Sequence, residues 1–145
     1  MEVRWSRDTA FEAMLAELRQ LRTVPGVLGA LVATQDGYSL CCDLEQPDAD
    51  IAAAITAASL GLAGRLSDLT GSGNGLHELQ ARSDTGYVCL YAIGNHWLLA
   101  VITDLTVNLA LLKLDARDVI KKLTAVESQV EVSPWADVDS LATRR

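Results

Sequence analysis

The segment from Asp50 to Leu69 constrains the fold more than any other part of this sequence. Its large apolar residues recur at spacings of three and four, which predicts a helix with an apolar stripe. That stripe consists of Ile51, Ile55, Ala58, Leu62, Leu66 and Leu69. A second stripe consists mostly of small residues, namely Ala53, Ala57, Leu60, Gly61 and Gly64.

Two apolar stripes are more than a surface helix needs, because one buried stripe is enough to hold it on a domain. The helix is therefore predicted to lie between its own domain and something else, or deep in a core. Gly61 and Gly64 favour the first alternative. Each glycine costs about 1 kcal/mol relative to alanine inside a helix, and the close approach of a second backbone would explain that cost.

The composition narrows the class of protein. The chain has 145 residues, half of them hydrophobic, so one domain with a substantial core is expected. A net charge of −7 disfavours nucleic acid and anionic membranes as partners. The first turns lack an apolar signal region, and the apolar stretch 51–64 is too short to span a bilayer. We therefore expect a cytoplasmic protein with no membrane insertion.

Alternating strand and helix patterns predict the order of elements along the chain. The strand 97–103 is nearly all apolar, which is typical of a central strand covered on both faces. Helices on both sides of a sheet would supply that cover. The predicted elements are a helix over 7–22, strands over 27–33 and 38–44, the helix over 50–69, strands over 76–82, 87–93 and 97–103, and a helix over 105–125.

The last helix and the residues after it carry a candidate partner face. Lys113, Arg117 and Lys121 lie at i, i+4 and i+8, which places them on one exposed face. They could meet an acidic partner, and the alternative is a solvated helix face. Pro134 interrupts the following segment, where Trp135 could cover this domain or a partner. We predict one domain over 1–126 and a partly flexible tail over 127–145.

Residue types that carry catalysis are scarce. The two histidines, His77 and His96, have no serine or cysteine in a nucleophile motif beside them. The glycine-rich segment 71–75 follows a helix and has no lysine, unlike a phosphate-binding loop. The three cysteines lack metal-ligand spacing and fit reduced thiols. We predict no enzyme activity, no cofactor and no metal.

The ordered set of elements resembles the bacterial branch of the Roadblock/LC7 family over residues 7–125. The resemblance rests on the run 24–32 before the Asp36-Gly37 turn, the alanine-rich helix, the glycine-rich break, and Asn108-Leu109 at the last helix. It implies an α+β fold with profilin-like or longin-like architecture. The expected sheet is antiparallel and five-stranded, with the central helix on one face and the terminal helices on the other.

The resemblance also implies a homodimer that pairs through the central helix and the adjacent edge strand. Carried over by position, the interface would use Ala53, Ala57, Leu60, Gly61 and Gly64 of the helix and Leu76, Glu78 and Gln80 of the strand. Family members regulate or scaffold small Ras-like GTPases, in bacteria those of the gliding type. The alternatives left open are a small-molecule sensor module and a structural subunit of a larger complex without a GTPase.

Overall fold

A five-stranded antiparallel sheet forms the centre of the chain. The structure is a computed structural model and describes residues 6–45, 48–71 and 76–130. The elements are α1 (Arg7–Arg22), β1 (Val27–Thr34), β2 (Ser39–Asp43), α2 (Ala49–Ser67), β3 (Glu78–Arg82), β4 (Gly86–Ile93), β5 (Trp97–Asp104) and α3 (Leu109–Val130). The strand order in the sheet is β2-β1-β5-β4-β3, and a 3-10 turn, Asp68–Thr70, extends α2.

Each face of the sheet carries its own apolar core. The larger core joins α1 and α3 to one face and includes Leu18, Leu99 and Leu123. The smaller core joins α2 to the other face and includes Leu31 and Leu98. Strand β5 contributes to both cores, because successive side chains of a strand point to opposite faces. The predicted architecture, with helices on both faces of a five-stranded sheet, is confirmed.

The helix ends differ by a few residues from the predicted ones. Helix α2 begins at Ala49, and the Asp48 side chain caps it by accepting a hydrogen bond from the Asp50 N–H. Helix α3 begins at Leu109 and ends at Val130, so the predicted domain end at residue 126 falls inside a helix. Residues 131–145, including Trp135, lie outside the described part of the chain.

The connection from β5 to α3 explains why the last helix starts later than predicted. The Asp104 carboxylate accepts hydrogen bonds from the N–H and the hydroxyl of Thr106, and these bonds lower the pKa of that carboxyl. This turn occupies the residues that the apolar pattern had assigned to the helix, so Leu105 remains 43% exposed. Asn108 then caps the helix by accepting from the N–H groups of Ala110 and Leu111.

Candidate interaction surface

The outer side of α2 and of the 3-10 turn that extends it exposes a stripe of large apolar side chains. Five of them are more than half exposed: Ile51 56%, Ile55 61%, Leu62 67%, Leu66 64% and Leu69 85%. Contiguous apolar surface of this kind marks an interaction site in a soluble domain, because leaving it in water is unfavourable. We refer to these five residues as the α2 stripe.

The inner side of α2 carries the smaller residues, which corrects the sequence-based assignment of the two faces. Ala53 is 0% exposed and Leu60 is 8% exposed, and both belong to the core between α2 and the sheet. Ala57 packs against the same core. Small side chains let the helix lie close to the sheet, whose floor on this side includes Ala33 and Ala100. Ala53 and Leu60, predicted as interface residues, are therefore core residues of this chain.

The two helix glycines have free space around them. A methyl group added at either Gly61 or Gly64 would meet no atom of the described residues within 4 Å. Packing among the described residues therefore does not require glycine at either position. At 100° per residue, Gly61 lies on the flank between the buried side and the α2 stripe. That position leaves room for another backbone to approach the helix there.

Strand β3 forms one edge of the sheet and pairs only with β4 in the described sheet. The Glu78 carboxylate lies 3.3 Å from Lys113 Nζ of α3, so its side chain is on the α3 face. Gln80 shares that face, since it lies opposite Cys89 of the larger core. Leu76 and Leu79 pack instead on the α2 side. Leu76 precedes the strand, and the predicted interface residues Leu76, Glu78 and Gln80 divide between the two faces of the sheet.

The basic row of α3 lies on the surface, as its spacing predicts. Lys113, Arg117 and Lys121 are all exposed. Lys113 is engaged with Glu78, whereas Lys122, on the neighbouring side of the helix, lies 3.7 Å from Glu17 of α1. The row is therefore a face with local positive charge on an acidic chain. Its predicted companion Trp135 falls among the residues that are not described.

The two buried thiols are unsuited to nucleophilic chemistry at neutral pH. Burial, with the neighbouring Cys42 and Asp43, raises the pKa of Cys41 from 9.0 to about 12. Burial also raises the pKa of Cys89. A thiol that holds its proton is a poor nucleophile and a poor metal ligand. Over residues 6–45, 48–71 and 76–130, no group of three or more His, Cys, Asp or Glu side chains could hold a metal ion.

A buried carboxylate that the sequence did not single out lies at the end of α3. Glu127 is 6% exposed and accepts hydrogen bonds at 3.1 Å from the backbone N–H groups of Asn95, His96 and Trp97. Its position continues the buried stripe of α3, four residues after Leu123. The sequence could have indicated this residue only if the last helix had been extended beyond residue 125, since Glu127 then falls at a position where the pattern expects an apolar residue.

Length and composition would allow one helix to cross a membrane. Among the described residues, the 22-residue segment Ala49–Thr70 contains an 18-residue window with a mean hydropathy of 1.3, and 22% of that window is buried. Its inner side, however, forms the core with the sheet through Ala53 and Leu60. Membrane insertion of this helix would remove the cover from one face of the sheet. The packing therefore favours a helix that stays with the domain.

Comparisons with known proteins agree with the fold described above. The Roadblock/LC7 domain model matches residues 14–103. An uncharacterized protein of Methanocaldococcus jannaschii is 29% identical over 110 residues, which cover 75% of this chain and 92% of that protein. The Myxococcus xanthus MglB structure has a TM-score of 0.78 at 18% identity and covers 91% of this chain and 98% of its own.

Further structures share the fold. The gliding protein MglB of Thermus thermophilus has a TM-score of 0.74 at 20% identity, covering 86% of this chain and 93% of its own. Profilin IA of Acanthamoeba castellanii has a TM-score of 0.50 at 12% identity, covering 79% of this chain and 96% of its own. At these identities the structures show the fold, while the domain model, which spans more than half of the sequence, shows the family. The chain belongs to the Roadblock/LC7 family.

Proposed function

We propose that this chain is a non-catalytic, cytoplasmic homodimeric adaptor that binds and regulates a small Ras-like GTPase. The α2 stripe is the observation that carries the proposal, since its five large apolar side chains are 56% to 85% exposed. Family membership and the likeness to two MglB gliding proteins support the class of partner. A protein of this kind works by presenting a surface.

A second copy of the chain is the occupant we assign to the α2 stripe. The small Ala58 lies between Ile55 and Leu62 of the α2 stripe, and Gly61 lies on its flank. Two antiparallel copies related by a two-fold axis would place Ile51 of one against Leu69 of the other, and the small residues at the crossing. The free space at Gly61 would allow that crossing to be close. Asp48, Asp50 and Asp68 at the helix ends make an anionic membrane surface a poor alternative occupant.

The edge strand β3 would complete the same dimer. An edge strand presents unpaired backbone N–H and C=O groups, which readily pair with another strand. Strand β3 is mostly exposed along its length. In the dimer, two β3 strands would join the sheets through their backbones. Glu78 and Gln80 would then lie on the α3 side of the joined sheet, away from the paired α2 helices.

The GTPase would bind a surface built by both copies, with the basic row as a second contact. Lys113, Arg117 and Lys121 lie on the opposite face of the sheet from α2, so they remain accessible when α2 is paired. We propose this row, together with Trp135, as a face for an acidic partner surface. Charge at such a face would act mainly on the association rate and on specificity.

Two measurements test the proposal. Light scattering of the purified full chain should give twice the monomer mass of 15.6 kDa. A pull-down from the native host, with GDP or a non-hydrolysable GTP analogue, should recover a small GTPase in a nucleotide-dependent manner, and its hydrolysis rate should change. A stable dimer that binds no GTPase in either state would instead indicate a structural subunit. A monomer at micromolar concentration would contradict the dimer.

A further inference from the structure

The end of α3 is joined to the β4–β5 turn by one carboxylate. Three consecutive backbone N–H groups, those of Asn95, His96 and Trp97, donate to Glu127 at 3.1 Å each. The preceding residue is Gly94, with φ of +54°, and a methyl group there would collide with the Glu127 carboxylate. The turn is thus shaped as a backbone nest for an anion, and α3 supplies that anion.

The same turn is held from its other side by the β1–β2 turn. The Gln35 side-chain amide donates to the Asn95 carbonyl at 2.9 Å, and the Gln35 N–H donates to the His96 carbonyl at 2.9 Å. The N–H groups of this turn therefore bond to α3, and its carbonyls bond to β1–β2. A displacement of the turn must strain both sets of hydrogen bonds.

The β1–β2 turn also touches α2 on the far face of the sheet. Gly37, with φ of +94°, lies so close to this helix that a methyl group there would be 3.3 Å from the Ala54 Cα. The Gly37 N–H donates to the Thr34 carbonyl at 3.0 Å, which fixes the turn to the end of β1. A contiguous series of contacts therefore runs from α3 around one end of the sheet to α2.

We propose that Glu127 is a positioning residue that couples the last turn of α3 to α2 through the β4–β5 turn, Gln35 and the β1–β2 turn. Coupling between distant sites is carried by contiguous packed and hydrogen-bonded contacts, and this series provides them. A displacement of the last turn of α3 would therefore reach the helix that carries the α2 stripe. The coupling extends the proposed function but is measurable within one chain.

The test compares two isosteric substitutions in the full chain by amide NMR and hydrogen exchange. Glu127→Gln weakens the acceptor of the three N–H groups. Glu17→Gln is the matched control, since Glu17 also contacts α3, through Lys122 at 3.7 Å, but not the β4–β5 turn. We expect Glu127→Gln to speed exchange at residues 95–97 by at least about fivefold, the factor for one lost hydrogen bond. It should also shift the amide signals of residues 35–37 and 52–57, and the control should not.

A second variant examines the middle of the series. Gln35→Ala removes the side-chain hydrogen bond between the two turns. In the double variant, Glu127→Gln should add less shift at residues 52–57 than it does alone, because only the Gln35 N–H bond to the His96 carbonyl still joins the two turns. Changes confined to residues 94–97 and 124–130 would overturn the proposal and leave Glu127 a local cap. An equal rise in exchange across the whole sheet would also overturn it, because that pattern is general destabilisation. None of these readouts depends on binding a GTPase.

Discussion

Shortening Leu62 to alanine should weaken the proposed dimer while leaving the single chain intact. Leu62 lies in the middle of the α2 stripe and is 67% exposed. Fully burying a leucine side chain contributes about 1.5–3 kcal/mol, so covering this one on pairing contributes about 1–2 kcal/mol. A two-fold dimer contains the contact twice, and substitution by alanine removes most of the buried area of each copy. The free energy of dimerisation should therefore weaken by about 2–3 kcal/mol in total.

That loss corresponds to a dissociation constant raised by about 30- to 150-fold. Because leucine and alanine are both good helix formers and the side chain is largely in water, the free energy of unfolding of the monomer should change by less than about 0.5 kcal/mol. Sedimentation equilibrium over a concentration series measures the dissociation constant. Urea unfolding at a concentration where both the wild type and the variant are monomeric measures the free energy of unfolding.

Leu114→Ala is the matched control. Leu114 is 59% exposed but lies on α3, on the opposite face of the sheet from α2. The same substitution there should leave the dissociation constant unchanged. An unaltered dissociation constant for Leu62→Ala would refute the reasoning. Equal weakening by both variants would indicate that the chain pairs through a different surface.

Three further predictions concern packing and pH. Gly61→Leu should keep or raise the melting temperature, because a side chain there meets open space, but light scattering should show monomer. Gly86→Ala should destabilise the fold by about 1–3 kcal/mol in urea unfolding, since a methyl group would collide with the Thr103 carbonyl, whereas Gly64→Ala should not. Burial raises the pKa of Cys41 from 9.0 to about 12, so the free energy of unfolding should be unaffected by this thiol below pH 9 and fall as the pH rises towards 12. Cys41→Ala should flatten that decline.

The sequence by itself determined the order and type of the elements. Apolar periods of two and of 3.6 residues are local properties, and they located the sheet strands, the three helices and the covered strand β5. Cys89 and Tyr91 belong to one core and Leu90 to the other, as the period of two along strand β4 requires. These features depend on residues that are close together in the sequence, so the sequence alone is enough to predict them.

Only the tertiary structure decided which side of α2 faces inward. Both stripes recur with a helical period, so periodicity cannot rank them. The floor of the sheet includes the small Ala33 and Ala100, and the stripe with Ala53 packs closely on it, which leaves Leu62 and Leu66 outside. Likewise, Glu127 bonds to groups about 30 residues away, at the β4–β5 turn. Contacts across such separations are set by how the elements assemble, and no local pattern encodes them.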